Sequence, residues 1–222
     1  MNRDMYWRIC QLAACSLFAL MSGVCAAADL PATDGLVKTK IRGFDQAWFV
    51  ADADLGRYES VSIAPVQISY RQDWKRRNRT HRGLNGRRMD QQDVDRITAA
   101  MTEEFDQVFP AAVVKGGLEL APHRGPRVLQ LRPTVADFWL NHPDLPAATH
   151  TEVLVDHAGE ATLILELFDA ESGSLIGWAS DRRETHDSRH FRRATRVYNR
   201  SEFRRLFQRW GRGSAAALVQ QH

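Results

Sequence analysis

Cysteine is scarce in this chain of 222 residues, and all three cysteines lie at or before Cys25. If that segment is removed on export, the remaining protein has no disulfide and no thiol nucleophile. Several enzyme motifs are also missing: there is no Gly-x-Ser-x-Gly elbow, no phosphate-binding glycine loop and no His-Glu-x-x-His pair. We therefore predict a non-enzymatic protein with no catalytic residues, no cofactor and no metal.

An excess of one charge is lacking as well. The chain has 30 basic and 27 acidic residues, so its overall charge predicts no polyanionic partner. The 44% of hydrophobic and 26% of charged residues are typical of a globular protein. This composition excludes a collagen-like repeat, a disordered acidic tail and a multi-span membrane protein.

The first 28 residues have the pattern of a secretory signal peptide. Arg3 and Arg8 precede an apolar run, Ile9 to Ala28, which ends in three alanines before Asp29. A positive start, an apolar stretch and small residues at the cleavage point are what signal peptidase requires. The sequence therefore predicts cleavage after Ala28 and a periplasmic or exported protein.

Two alternatives to cleavage after Ala28 are open. The apolar run is just long enough to span a bilayer, so it could stay as an anchor. Cys15 follows Leu-Ala-Ala, which resembles the lipid-attachment motif of bacterial lipoproteins, but the apolar stretch before it is short. Cys25 follows Ser-Gly-Val, a poorer match.

Hydrophobic periodicity predicts strands and helices in an α+β order. Alternating apolar residues predict strands, and apolar residues at spacings of three and four predict helices. The predicted strands are 60–70 with a break at Ala64-Pro65, 127–139, 161–169 and 174–183, with short apolar segments at 43–50 and 152–155 that could also pair. One helix starts at the N-cap Asp90 and stops at Pro110, and a second is capped by Ser201.

These elements predict a two-layer α/β sandwich in which two helices pack on one face of a mostly antiparallel sheet. Residues 29–42 are expected to be a flexible leader, and residues 43–222 a single domain. Strand 161–169 is apolar on both faces and should be central. The predicted core residues are Phe105, Leu129, Leu163, Leu165, Phe207 and Trp210.

The segment from Arg71 to Arg88 is the main candidate binding site. It has no apolar period, eight basic residues and one acid, so it is predicted to be a long basic loop. The loop could bind an anion, with Trp74 as an apolar foothold, or fold onto Glu103, Glu104 and Asp106. The candidate anion-binding residues are Arg71, Trp74, Lys75, Arg76, Arg77, Arg79, Arg82, Arg87 and Arg88.

Residues 182–212 form a second basic segment, with eleven arginines and three acids. Just before it, Asp181 is expected to form a structural ion pair with an arginine on a neighbouring strand, and the alternative is an anion-binding pair at Arg182 and Arg183. His186 and His190 are spaced for a metal on a helix. We interpret them, and the dispersed His142, His150 and His157, as solvated side chains rather than metal ligands.

Four stretches of the chain carry a resemblance to a known family: residues 58–66, 128–137, 159–183 and the final helix around Phe207 and Trp210, which together span residues 44–219. In their order and spacing they resemble a bacterial envelope family known as domain of unknown function 3313. The members of this family look like exported proteins, and many of them look like lipoproteins. The resemblance implies no activity and no catalytic or ligand residues, and this sequence lacks a good lipid-attachment cysteine.

The leading hypothesis is an exported envelope protein that acts by binding an envelope partner. A second hypothesis is a binder of acidic lipid, lipopolysaccharide or cell-wall polymer through the basic loop, with peripheral membrane contact. A third is a hydrolase with an unrecognised site. Nucleic acid is not an expected partner, because an exported protein rarely meets it.

Overall fold

The computed structural model describes residues 30–74, 76, 89–143, 153–185 and 191–219. Ten strands and two long helices follow one another in these ranges, with a short 3-10 helix at Leu55–Arg57. The strands are β1 Leu36–Lys38, β2 Gln46–Val50, β3 Ser60–Ile63, β4 Gln67–Tyr70, β5 Glu119–Leu120, β6 Val128–Leu140, β7 Leu154–Val155, β8 Gly159–Asp169, β9 Leu175–Glu184 and β10 Arg192–Arg193. The helices are α1 Gln91–Lys115 and α2 Arg196–Val219.

One mixed sheet of eight strands has the order β1-β2-β9-β8-β6-β3-β5, and β4 pairs with β6 beyond β3. The strands from β1 to β6 along this order are antiparallel, whereas β3 and β4 run parallel to β6. The α+β prediction is confirmed, with β8 in the centre of the sheet. The break predicted at Ala64-Pro65 separates β3 from β4. These two short strands therefore pair, one after the other, with the same long strand β6.

Both helices pack on one face of the sheet. Phe203 of α2 contacts Phe138 of β6 with ring centroids 4.8 Å apart, and Phe105 of α1 contacts Phe207 at 5.0 Å. Alternate residues of β8, from Ala161 to Leu167, face this layer and are at most 2% exposed. All six predicted core residues are buried.

The start of α1 is the one predicted from the sequence. The Asp90 side chain accepts the backbone N–H of Asp93 at 2.8 Å, and the Asp93 side chain accepts the backbone N–H of Asp90 at 3.2 Å. This reciprocal pair is a capping box, which satisfies two otherwise unpaired donors.

Other predicted boundaries are wrong. Helix α1 continues through Pro110 to Lys115, because Phe109 and Val113 on either side of the proline are fully buried. Helix α2 begins at Arg196 rather than after Ser201, since Thr195 Oγ1 accepts the backbone N–H of Tyr198 at 3.1 Å.

The segment predicted to be a flexible leader contributes a strand. Its residues Leu36–Lys38 form β1, which pairs antiparallel with β2 at the edge of the sheet. The apolar face of β2 carries Ala47 and Phe49, which are buried, and β1 extends the sheet beyond them. The leader is therefore ordered in part, by the backbone pairing of β1 with β2.

Candidate functional site

Strands β4, β6 and β9 run in the same direction and finish at one end of the molecule, which we call the loop end. Helices α1 and α2 both begin there: the Tyr70 hydroxyl at the end of β4 lies 2.9 Å from Thr98 Oγ1 of α1. The Asn199 side chain of α2 donates to the His142 carbonyl, just beyond β6, at 3.1 Å. The loop end therefore combines three strand ends with two helix N-termini. Each helix N-terminus is the positive end of its helix dipole.

The described residues that flank the predicted basic loop, 71–74 and Met89, lie at this end. Arg71 packs its guanidinium over the Trp139 ring at 4.6 Å and donates from Nε to Asp73 Oδ1 at 2.6 Å. Residues 72–74 are helical, and Arg76 is exposed. The candidate residues outside the described part of the chain are Lys75, Arg77, Arg79, Arg82, Arg87 and Arg88.

Trp74 is part of the core. Its side chain is 3% exposed, its ring stacks on Tyr70 at 5.2 Å, and its Nε1 donates to the Leu140 carbonyl at 2.6 Å. Trp74 thus fixes the first residues of the basic loop to the end of β6. Because Trp74 is buried, it is not available as the apolar foothold that the sequence suggested.

The acids proposed as an alternative partner of the basic loop contact other groups. Glu104 is fully buried and forms ion pairs with Arg200 and with Arg204, whose Nη1 lies 2.7 Å from Glu104 Oε1. Arg200 also lies 3.7 Å from Glu103. Asp106 Oδ1 accepts the Val66 N–H at 3.3 Å. In the described residues these acids join α1 to α2 and to the chain before β4.

A two-stranded ribbon lies at the loop end, apart from the main sheet. Strand β7 pairs antiparallel with β10, with Leu154 opposite Arg193 and Val155 opposite Arg192. Val155 is buried, whereas Leu154 is 57% exposed. Phe191, just before β10, is 71% exposed. The sequence suggested a short strand here but gave no indication of this exposed apolar surface.

A groove of about 310 Å³ runs between the end of β9 and α2. It is lined by Glu184, Thr185, Glu202, Arg205, Leu206 and Arg209. Its polar groups largely serve the fold: Glu202 is 5% exposed and pairs with Arg205, and the Thr185 hydroxyl accepts the backbone N–H of Ala158 at 2.9 Å.

The structural ion pair expected at Asp181 is present, although on its own strand. Asp181 is 2% exposed and accepts from Arg183 Nε at 2.8 Å and from Trp210 Nε1 of α2 at 2.9 Å. Burial raises the pKa of Asp181, and the bond from Arg183 opposes that rise. Arg182 instead pairs with Glu160 of the neighbouring β8. Both arginines thus contact carboxylates, which favours the structural interpretation of this pair.

The histidines yield no metal site in the described part of the chain, where no three potential ligands come together. His157 contacts Asp156, with 2.8 Å between Nδ1 and Oδ1, and His142 is half-buried at the end of β6. His150, His186 and His190 lie outside the described residues.

Within the described ranges, neither helix combines the length and the hydropathy that a membrane span requires.

Comparison with known proteins identifies a family and two distant structures. Residues 29–214 match the family model described as "Protein of unknown function (DUF3313)". No curated protein matches the chain. Two crystal structures of PelC dodecamers from Paraburkholderia phytofirmans are similar at 11% and 12% identity, with TM-scores of 0.36 and 0.37. Each covers 82% of this chain, and the matches span 97% and 95% of PelC. Similarity at this level carries no argument about fold, assembly or function.

Proposed function

We propose that this chain, which belongs to the DUF3313 family of proteins of unknown function, is a non-enzymatic binding domain of the bacterial envelope that attaches to an anionic envelope component through its loop end. The observation that supports this proposal most directly is the position of the two buried residues that flank the basic segment. Trp74 lies against the end of β6, and Met89 lies just before α1. The seven basic residues between these two anchors carry no acid among them.

Charge at this end favours an anionic partner. Arg192 and Arg193 of the ribbon are both exposed, and their positive charge adds to that of the basic loop. Each basic residue close to an anionic surface contributes about 1 kcal/mol, and salt weakens that attraction. Four or five contacts therefore suffice for reversible attachment.

The envelope location rests on the predicted signal peptide. If residues 1–28 are cleaved, N-terminal sequencing of the exported protein will begin at Asp29. A mature chain that begins at a lipidated Cys15 or Cys25 would contradict this prediction and indicate a lipoprotein.

Binding to vesicles of phosphatidylglycerol and to lipopolysaccharide, each at low and high salt, tests the proposed function. We would compare wild type with a triple variant in which Arg77, Arg79 and Arg82 are changed to Glu. Arg76 is left unchanged because it makes interactions within the structure. At low salt the triple variant should bind at least tenfold more weakly, because three attractive charges become repulsive.

A matched control reverses three charges away from the loop end, with Lys115, Arg124 and Arg212 changed to Glu. Lys115 ends α1, Arg212 lies near the end of α2, and Arg124 lies in the turn before β6; all three are exposed. The control should bind like wild type. Equal loss in both triple variants, or no salt-dependent binding by wild type to either probe, would overturn the proposal.

A further inference from the structure

We propose that the outward face of the β7–β10 ribbon inserts into the interface of an anionic lipid bilayer. This inference rests on the proposed function and makes it more specific, because it selects a membrane surface over a dissolved anionic polymer. The inference depends only on described residues of the ribbon and of the first turn of α2.

Strand pairing places the ribbon's apolar and basic side chains on a common face. Leu154 lies opposite Arg193, and directly paired residues of an antiparallel ribbon project to the same side. Phe191 precedes Arg193 by two residues, so the alternation of an extended chain directs it to that side as well. Val155, paired with Arg192, is 6% exposed and marks the side that faces the protein.

The exposure of these side chains is unusual for the molecule. Among the large apolar residues of the described ranges, Leu154, Phe191 and Val197 are the three most exposed, at 57%, 71% and 80%. Val197 lies in the first turn of α2, shortly after β10 in the chain. Single exposed apolar residues are ordinary on a protein surface, but three in one region mark an interaction site.

The arginines around these residues determine the kind of partner. Arg193 lies on the outward face of the ribbon, and Arg196 begins α2 next to Val197; both are exposed. An anionic bilayer offers phosphate groups for the guanidinium ions and, a few ångströms deeper, hydrocarbon for the phenyl and aliphatic groups. Long arginine side chains keep their charge at the headgroups while their stems lie along apolar surface. A dissolved polyanion supplies only the first of these two contacts.

Site-specific fluorescence tests insertion directly. In separate variants, Phe191 or Leu154 is replaced by Cys and labelled with an environment-sensitive dye, and any of Cys10, Cys15 and Cys25 that the purified protein retains is changed to Ser. The control is Glu171→Cys, an exposed position in the β8–β9 turn at the opposite end of the sheet. Phosphatidylglycerol vesicles should shift the emission of the dye at residues 191 and 154 to shorter wavelengths. Soluble polyphosphate should leave it unchanged, and the dye at residue 171 should respond to neither.

Affinity gives a second measurement that needs no label. Changing Leu154 and Phe191 to Ser together should weaken binding to phosphatidylglycerol vesicles about tenfold, or about 1.4 kcal/mol. The same change at Val37 and Val114, which are exposed elsewhere, should have no effect. Because these side chains are exposed, folding should be retained, which circular dichroism would verify.

The two proposals fail in different ways. If vesicles bind and the triple loop variant weakens that binding, but the dye does not shift and the Ser variant binds like wild type, insertion is wrong and electrostatic attachment stands. If lipopolysaccharide or polyphosphate binds and vesicles do not, insertion is again wrong. If no anionic probe binds, both proposals are overturned.

Discussion

Glu104 shows how one buried charge joins the two helices. Its side chain is fully buried in α1, and both of its arginine partners, Arg200 and Arg204, reach it from α2 with their side chains about half exposed. A buried carboxylate without a partner is costly because it has lost its hydration. The arginines retain part of theirs, so the two sides of this interaction are not equivalent.

This asymmetry predicts which substitution is worse. Changing Arg200 and Arg204 to Met leaves the Glu104 carboxylate unpaired in the core, which should cost about 3–5 kcal/mol of unfolding free energy. Changing Glu104 to Gln leaves two arginines that can turn to water and should cost clearly less. Urea denaturation of the two variants measures the difference. A larger loss for Glu104→Gln would mean that the arginines, rather than the carboxylate, are the desolvated partners.

Asp169 closes the turn between β8 and β9. Its carboxylate accepts backbone N–H bonds from Ser172 at 2.8 Å and from Glu171 at 3.1 Å, and the Tyr58 hydroxyl at 3.0 Å. The Ser172 N–H contributes most, and together with the other donors it lowers the pKa of Asp169 to about 2. Since the unfolded value is about 3.9, the ionised form favours the folded state.

The pH dependence of stability follows from this shift. A depressed pKa stabilises the fold above the unfolded value, and that contribution disappears as the pH falls through the folded value. Asp169→Asn should therefore be less stable than wild type above about pH 4, and the difference should shrink as the pH approaches about 2. Thermal unfolding from pH 2 to 7 measures it. The control Glu171→Gln removes a neighbouring charge without these bonds and should show no such convergence.

At the scale of elements, two glycines allow α1 and α2 to approach closely. A Cβ on Gly211 would lie 2.7 Å from the Phe109 carbonyl oxygen and 2.7 Å from Ala112 Cβ, and one on Gly116 would overlap Ala215. Gly213, two residues further along α2, has no atom within 4 Å of its Cβ position. Glycine is a poor helix former, but α2 continues past Gly211 and Gly213 to Val219, and Gly211 fits closely against α1.

Gly211 and Gly213 provide an internally controlled prediction. Alanine is the better helix former by about 1 kcal/mol, so Gly213→Ala should stabilise the protein by up to that amount. Gly211→Ala gains the same propensity but pushes the helices apart, and should destabilise by about 1–3 kcal/mol. Guanidinium unfolding of both variants checks the opposite signs. Stabilisation by both would show that the helices can separate without loss.

The whole molecule depends on one core that both layers share. Phe105, Phe207, Phe203 and Phe138 form a continuous chain of ring contacts from α1 through α2 to β6. Leu165 lies in the central strand beneath the helices and is 2% exposed. Neither layer can lose this contact without exposing the apolar face of the other, so the layers should unfold together.

Cooperative unfolding is testable with two probes. Far-ultraviolet circular dichroism, dominated by the helices, and fluorescence of the buried Trp178 and Trp210 should show the same denaturation midpoint. Leu165→Ala should lower both midpoints equally, with a loss of about 2–5 kcal/mol. If the helical signal is lost first, the helices and the sheet are separate cooperative units.

The sequence alone predicted the elements whose own residues carry a complete signal. Strands β6, β8 and β9 are ten or more residues long, so their alternation is unambiguous. The Asp90 cap of α1 and the break at Ala64-Pro65 are local stereochemistry, and both were found as predicted. The cluster of basic residues between Arg71 and Arg88 was recognisable, because clustering of charge is a property of the chain itself.

Tertiary structure decided what depends on a neighbour. Pro110 and Gly211 interrupt a helix by propensity, but buried contacts between α1 and α2 outweigh that cost, and no pattern within either helix reveals it. Strands β7 and β10 have two residues each, too few for a period, and only their pairing exposes Leu154 beside Arg193. The charged neighbours of Trp74 in the sequence favoured a surface position. In the structure the Leu140 carbonyl and the Tyr70 ring contact it, and it is buried. Hydrophobic periodicity records which faces must be covered; which residues cover them, and which are left to face a partner, depends on how distant parts of the chain pack together.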